Sequence, residues 1–220
     1  MKFKTMSVHS GQRIDPQTGA LTTPLYQSST FSYFNAQAGK ERFAGQAPGF
    51  IYSRFGNPTT AELEQKLAAL EGADEALVVA SGMAAVSAIM YALADSGDEV
   101  AYIGPLYGGT DAFLKQTFSR AGIKVTAYES DQDLLANIRP ATKVVLFETL
   151  TNPTLKVVDP RLVVEAARKV GAITVCDNTF LTPYLLRPLE LGVDVVMHSG
   201  TKYLGGHGDI IAGVVAGSHA

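Results

Sequence analysis

Lys202 closes the run Val195-Val196-Met197-His198-Ser199-Gly200-Thr201-Lys202, whose β-branched start reads as a buried strand. A second apolar run, Ile173-Thr174-Val175-Cys176, ends in Asp177-Asn178. Two strands that each stop at a polar residue, one a lysine and one an aspartate, suggest a site built at a sheet edge. A primary amine attacks aldehydes, and a carboxylate holds a heterocyclic nitrogen protonated. Pyridoxal phosphate needs that pair: the amine forms a Schiff base with its aldehyde, and the carboxylate keeps its ring able to accept electrons. Ser199 and Thr201 flank the lysine with hydroxyls suited to the cofactor phosphate.

Ligands of open α/β sheets collect where strands end, and three further strand ends carry suitable groups. Val78-Val79-Ala80 runs into Ser81-Gly82-Met83, a small-residue turn opening a helix. Its free N–H groups and the helix dipole make a phosphate seat, although such turns are common and mostly structural. Tyr102-Ile103 leads to Gly104-Pro105-Leu106-Tyr107-Gly108-Gly109, where Tyr107 either stacks on a flat ring and passes a proton, or simply packs. Leu146-Phe147-Glu148 leads to Thr149-Leu150-Thr151-Asn152-Pro153, where Asn152 either bonds a ring hydroxyl or starts a turn before proline.

The elements that position these groups alternate. Strands are expected at 76–80, 100–103, 124–128, 144–148, 173–176, 193–197 and 210–215, and helices at 83–93, 110–121, 132–138 and 161–170. Continuous Val/Ile/Leu strands separated by helices predict an α/β fold with a mostly parallel sheet covered on both faces. An earlier helix follows Asn57-Pro58-Thr59, capped either by Asn57 or by Thr59 with Glu62; Leu63, Leu67 and Leu70 share a face, and Gly72 ends it. Residues 1–50 show neither a 3.6 nor a 2 period and read as an extended arm whose aromatics pack on another subunit. The chain ends at Ala220 directly after a strand, so a C-terminal part is expected beyond it.

Composition excludes several classes. The chain has 220 residues, 46% hydrophobic and 18% charged, with a formal net charge of -3, so it offers no basic footprint for nucleic acid or an anionic membrane. The uncharged stretch 76–94 nears membrane-spanning length but splits at Ser81-Gly82, which favours a buried strand feeding a buried helix. Cys176 is the only cysteine, which fits a reducing cytoplasm, and it reads as a buried apolar side chain. No signal-peptide pattern follows Lys2 and Lys4. Gly200-Thr201-Lys202 is not a phosphate-binding Walker loop. His9, His198, His207 and His219 show no zinc-ligand spacing, so no metal site is expected.

The motifs Tyr52-Ser53-Arg54-x-Gly56-Asn57-Pro58-Thr59, Ser81-Gly82-Met83-Ala84-Ala85, Tyr107-Gly108-Gly109-Thr110, Glu148-Thr149-x-Thr151-Asn152-Pro153, Asp177-Asn178-Thr179 and His198-Ser199-Gly200-Thr201-Lys202-Tyr203 recur together. By them, the chain resembles the pyridoxal-phosphate-dependent cysteine/methionine metabolism (trans-sulfuration) family, over almost its whole length. That family includes cystathionine γ-lyase, cystathionine γ-synthase, methionine γ-lyase and O-acetylhomoserine sulfhydrylase. The resemblance implies a fold-type I large domain over 51–220, an arm over 1–50 that contacts a neighbouring subunit, and a C-terminal domain missing from this chain. It implies Lys202 as the Schiff-base lysine and Asp177 as the pyridinium partner. Tyr107 would stack on the ring, Asn152 would reach its hydroxyl, and Gly82, Met83, Ser199 and Thr201 would hold the phosphate. Tyr52 and Arg54 would reach a neighbour's phosphate, which makes a homodimer or homotetramer with shared sites.

The implied reaction is γ-elimination or γ-replacement on L-cystathionine, L-methionine or an O-acylhomoserine, and elimination gives a 2-oxo acid, ammonia and a thiol. Methionine γ-lyases usually have cysteine where this chain has Gly109, and glycine there is more similar to the cystathionine and acylhomoserine enzymes. Its room beside Tyr107 favours a bulky γ substituent such as that of cystathionine, whereas His207-Gly208-Asp209 is more similar to methionine γ-lyases. Two rivals remain open: a cofactor-free lyase using Lys202 directly on a carbonyl, and a catalytically silent cofactor-binding fragment.

Overall fold

The computed structural model describes residues 2–218; His219, one of the histidines weighed above for zinc, and Ala220 lie outside the described residues. The chain divides into two units, residues 1–69 and 70–220.

The first unit holds more helix than its sequence announced. Two short helices, α1 (Phe3–His9) and α2 (Ala36–Phe43), interrupt otherwise irregular backbone. Both are too short to display a full apolar period. Asn35 starts α2 by accepting the Ala38 N–H at 2.9 Å. Aromatics pack locally, Phe31 on Phe50 and Tyr33 on Phe43, while Phe34 is 98% exposed. Helix α3 (Pro58–Glu71) begins by the first of the two expected routes: the Asn57 Oδ1 accepts the Thr59 N–H at 2.9 Å, with Pro58 at the first turn. Leu67 and Leu70 are buried as expected, whereas Leu63 is exposed.

The second unit is an alternating α/β layer. Its elements are β1 (Glu75–Val79), α4 (Gly82–Leu93), β2 (Glu99–Ile103), α5 (Gly108–Ala112), β3 (Lys124–Tyr128), α6 (Asp131–Asn137), β4 (Thr142–Glu148), α7 (Pro160–Val170), β5 (Ile173–Asp177), α8 (Thr182–Leu185), β6 (Val195–Ser199) and β7 (Gly213–Gly217). They form one seven-stranded sheet in the order β1-β7-β6-β5-β4-β2-β3. Only β7 runs against the rest, pairing antiparallel with β1 and β6. The segment between β6 and β7 has no helix to carry a crossover, so the strand that follows must turn back. Lys202 sits in that turn.

Two cores flank the sheet and divide its residues by parity. Val144, Leu146, Val175 and Met197 point to the α4 side, where they meet Ala85, Val86, Ile89 and Met90. Val145, Phe147, Cys176 and Val196 point to the α7 side, against Val163, Ala166 and Ala167. Among the described residues no helix is long and apolar enough to cross a membrane.

The helix expected at 110–121 is broken. Alpha turns at Gly108–Ala112 widen to a π turn at Phe113–Thr117 and tighten to a 3-10 turn at Phe118–Ala121. In an α-helix, residues five apart lie about 140° away from each other around the axis. The wider turn brings Phe113 and Phe118 together at 5.4 Å, where both also pack on Tyr91. The last strand starts at Gly213 rather than at 210, because close approach decides its first residue. A Cβ on Gly213 would lie 2.0 Å from the Ser81 carbonyl oxygen and 2.9 Å from a Val79 methyl. Backbone thus presses on backbone where the β1–α4 turn crosses β7. Gly213→Ala should therefore cost at least about 2 kcal/mol, the scale of overpacking in a tight interior. The midpoint of urea unfolding reads this out, and an unshifted midpoint would refute it.

Candidate active site at the carboxyl edge of the sheet

Six strands share one direction, so their carboxyl ends lie along one edge, and period-two alternation decides which side chains reach the α4 face there. Glu148 pairs in register with Asp177, and Asp177 with Met197. Glu148, Asp177 and Met197 therefore form a row on the α4 side, with Ser199 two residues further along β6. Above this row lies a cavity of about 280 Å³. It is lined by Ser81, Gly82, Met83, Tyr107, Asn152, Asp177, Ser199, Thr201 and Lys202, nine residues singled out from the sequence. Val86, Leu150, Phe180 and Ile211 supply apolar walls, and Glu148 and Thr179 add polar groups. Tyr52 and Arg54 belong to the first unit, where both are exposed; the Arg54 guanidinium lies 4.5 Å from the Phe55 ring centre and 5.6 Å from that of Tyr52.

The helix α4 turn is arranged to leave amides free. Ser81 accepts the Ala84 N–H through its Oγ at 3.1 Å, so its side chain caps the helix. The N–H groups of Gly82 and Met83 remain as the first unpaired donors of the helix. A Cβ on Gly82 would sit 2.8 Å from the Ser199 Cβ, so glycine lets the helix end close against β6.

Asp177 is held by a residue not singled out before. Thr179 donates both its N–H, at 3.0 Å, and its hydroxyl to Asp177 Oδ1, and its oxygen accepts the Ser199 N–H at 2.8 Å. One hydroxyl thus joins the ends of β5 and β6. The Asp-x-Thr spacing was the available signal, since a hydroxyl two residues on reaches back to a preceding carboxylate. Burial pushes the Asp177 carboxyl above its ordinary value, while the Thr179 hydrogen bonds and the positive potential of His198 pull it down. A cationic ring nitrogen beside it would favour the charged form.

Glu148 was quoted in a motif but given no role. It is buried, and its two oxygens accept one backbone amide each: Oε1 that of Tyr107, and Oε2 that of Asn152 at 2.9 Å. Burial raises its pKa to about 7, the two amides lower it, and neighbouring Asp177 raises it. Thr201 lines the cavity, yet its hydroxyl donates to the Ala212 carbonyl at 3.3 Å and accepts the Ala212 N–H at 3.1 Å. Its present work is to tie the Lys202 turn to the approach of β7. The expected room at Gly109 is filled. A Cβ there would meet Tyr107 Cε1 at 2.6 Å and Met83 Sδ at 3.2 Å, so the tyrosine ring lies directly against the glycine.

On the opposite face, His198 and Glu71 are each 1% exposed and share a hydrogen bond between Nε2 and Oε1. Both residues belong to the second unit, where the pair ties its first residues behind the strand that leads to Lys202. Cys176 is fully buried, as expected.

Residues 4–220 match the sequence profile of the Cys/Met metabolism PLP-dependent enzymes. The chain belongs to that family. L-methionine γ-lyase of Porphyromonas gingivalis is 45% identical over 98% of this chain and 54% of its own length. Cystathionine γ-lyase of Bacillus subtilis is 43% identical over 98% of this chain and 55% of its own. A solved Campylobacter jejuni protein, assigned as an O-acetylhomoserine (thiol)-lyase and bearing a pyridoxyl-lysine phosphate, superposes with a TM-score of 0.93. It is 36% identical and aligns with 99% of this chain and 54% of that one. The chain spans about half the length of the relatives it matches. The fold is thus that of fold-type I enzymes, and pyridoxal phosphate is the cofactor on which the family depends.

The donor set suits that cofactor. An amine, a half-buried carboxylate, two helix amides left free within the helix and the Ser199 hydroxyl border one cavity between apolar walls. Glu148 also makes a measurable pH signature. Because its folded-state pKa lies above the ordinary 4.5, the unfolded chain gives up its proton first as pH rises. The contribution of Glu148 to stability should be greatest below pH 4.5, decline up to about 7 and level off there. Glu148→Gln should flatten that decline by up to about 3 kcal/mol. Denaturant unfolding across this range compares the two proteins, and identical slopes would show that Glu148 titrates normally.

Proposed function

We propose that this chain forms the cofactor-binding part of a pyridoxal-phosphate-dependent carbon–sulfur lyase that performs γ-elimination on a sulfur amino acid such as L-methionine or L-cystathionine. The products are a 2-oxo acid, ammonia and a thiol. The observation that carries this reading is the meeting of Asp177, Lys202 and the start of α4 around one cavity, each delivered by a different strand end. The relatives named as methionine and cystathionine lyases support the choice of elimination over replacement.

When bound, pyridoxal phosphate supplies the electron sink that makes an amino-acid Cα–H acidic. The remaining work falls to side chains. Gly82 and Met83 hold the phosphate by their N–H groups, where the helix dipole favours an anion, and Ser199 adds its hydroxyl. Asp177 keeps a proton on the ring nitrogen, and Thr179 fixes the direction of the carboxylate. Lys202 would hold the cofactor through its Nζ, and as a free amine that Nζ would take the proton from the substrate Cα. Tyr107 covers the ring, and its hydroxyl moves a proton at the departing sulfur. Asn152 orients the ring hydroxyl. A homodimer or homotetramer completes each site with Tyr52 and Arg54 from a neighbour, consistent with their exposed position in the first unit.

Lys202→Ala should abolish both the yellow colour of a lysine–pyridoxal bond and turnover of L-methionine and L-cystathionine, with the circular-dichroism spectrum unchanged. A borohydride-reducible protein–cofactor bond surviving in the variant would remove Lys202 from this role. A colourless wild type that still cleaves a carbonyl substrate would instead favour the cofactor-free lyase. For the shared site, Arg54→Ala and Lys202→Ala chains, each inactive alone, should regain part of the activity when mixed. Mixed oligomers that stay inactive would place Arg54 outside its neighbour's site.

A further inference from the structure

Two loops line the cavity without belonging to the sheet, and one carboxylate connects both. Tyr107 lies in the loop after β2, and Asn152 lies in the loop after β4. Glu148, the last residue of β4, accepts the Tyr107 N–H on Oε1 and the Asn152 N–H on Oε2. A backbone amide donates along one direction only, so each bond fixes where its loop starts across the ring site. Both donors belong to residues whose own side chains line the cavity. Glutamate is suited to this task because a carboxylate accepts on two oxygens and donates on neither.

We infer that Glu148 is a positioning residue: it clamps the Tyr107 and Asn152 loops to the sheet and so holds the tyrosine ring and the asparagine amide in working orientation over the cavity. The clamp follows from the hydrogen bonds alone, while its effect on turnover rests on the lyase reading above. Above about pH 7, where Glu148 is ionised, its burial strengthens each bond, since a charged acceptor shielded from water has few competing partners. Glutamine cannot reproduce the clamp. Its single oxygen satisfies one amide, and its Nε2 then faces the other as donor against donor. Aspartate keeps both acceptors but withdraws them by one methylene.

Hydrogen-exchange mass spectrometry of wild type, Glu148→Gln and Glu148→Asp, with labelling above about pH 7 where Glu148 is ionised, tests the clamp without any turnover. In Glu148→Gln, peptides spanning 105–110 or 149–155 should exchange roughly tenfold faster or more, the scale set by one lost charge-assisted bond. Peptides within β4 and β5 should be unchanged, and Glu148→Asp should lie between. Both loops exchanging at the wild-type rate in Glu148→Gln would overturn the proposal. The cofactor-loaded variant should keep its yellow colour and its KM within a few-fold while kcat falls about tenfold or more, with partial rescue in Glu148→Asp. Loosened loops with wild-type kcat would equally overturn a positioning role. A wild type that binds no pyridoxal phosphate would instead overturn the lyase reading, and the exchange data would still decide the clamp.

Discussion

A strand shows alternate residues to opposite sides, and here both sides are buried, so the alternation cannot slip. Val144, Leu146 and Val175 are held by the core on the α4 side, and Val145, Phe147 and Cys176 by the core on the α7 side. A shift of one residue in either strand would drive two cores' worth of side chains to the wrong face. The same rule fixes Glu148, Asp177 and Ser199, which lie two residues beyond buried apolar neighbours of the same parity. The chemistry at the edge inherits its precision from packing in the middle. Among these side chains, the site needs little order of its own.

That arrangement sets two carboxylates beside each other on adjacent strands, which electrostatics alone would forbid. Burial disfavours the charged form of both. Each is held by donors aimed at it: backbone amides for Glu148, and the Thr179 hydroxyl and amide for Asp177. The two groups therefore differ in what they lack. Glu148 has both oxygens engaged, whereas among the described residues Asp177 accepts on Oδ1 alone, which leaves Oδ2 the readier acceptor for a ligand. Structural and ligand-facing roles separate by counting acceptors.

Much of this was legible in the residues. All seven strands were found, because each is a β-branched run bounded by turn residues, and the parallel sheet followed from the helices between them. The strand-end lysine and aspartate, with Ser81-Gly82-Met83, do meet at one cavity. What the chain did not disclose depends on distances between segments. Glu148 looked like the end of a strand because its partners are backbone amides of other loops, which leave no pattern of side chains. Thr201 lines the cavity, and its tie to Ala212 was not legible because that partner lies eleven residues further on. Gly109 looked like empty space, since a sequence does not show that the ring two residues earlier folds back over it. The helix at 110–121 was drawn with ideal turns, but Phe113 and Phe118 both demand burial and widen it.

Cys176 lies at the middle of this order, on a strand flanked by two others and under α7. It is the only cysteine among 220 residues, and burial pushes its thiol well above the ordinary range. Alkylating reagents act on thiolates that they can reach. No local fraying of a loop or arm exposes this one; the central strands must part first. The rate of Cys176 modification therefore clocks the opening of the whole sheet, and a cysteine introduced anywhere on the surface would accept a probe without competition from the interior.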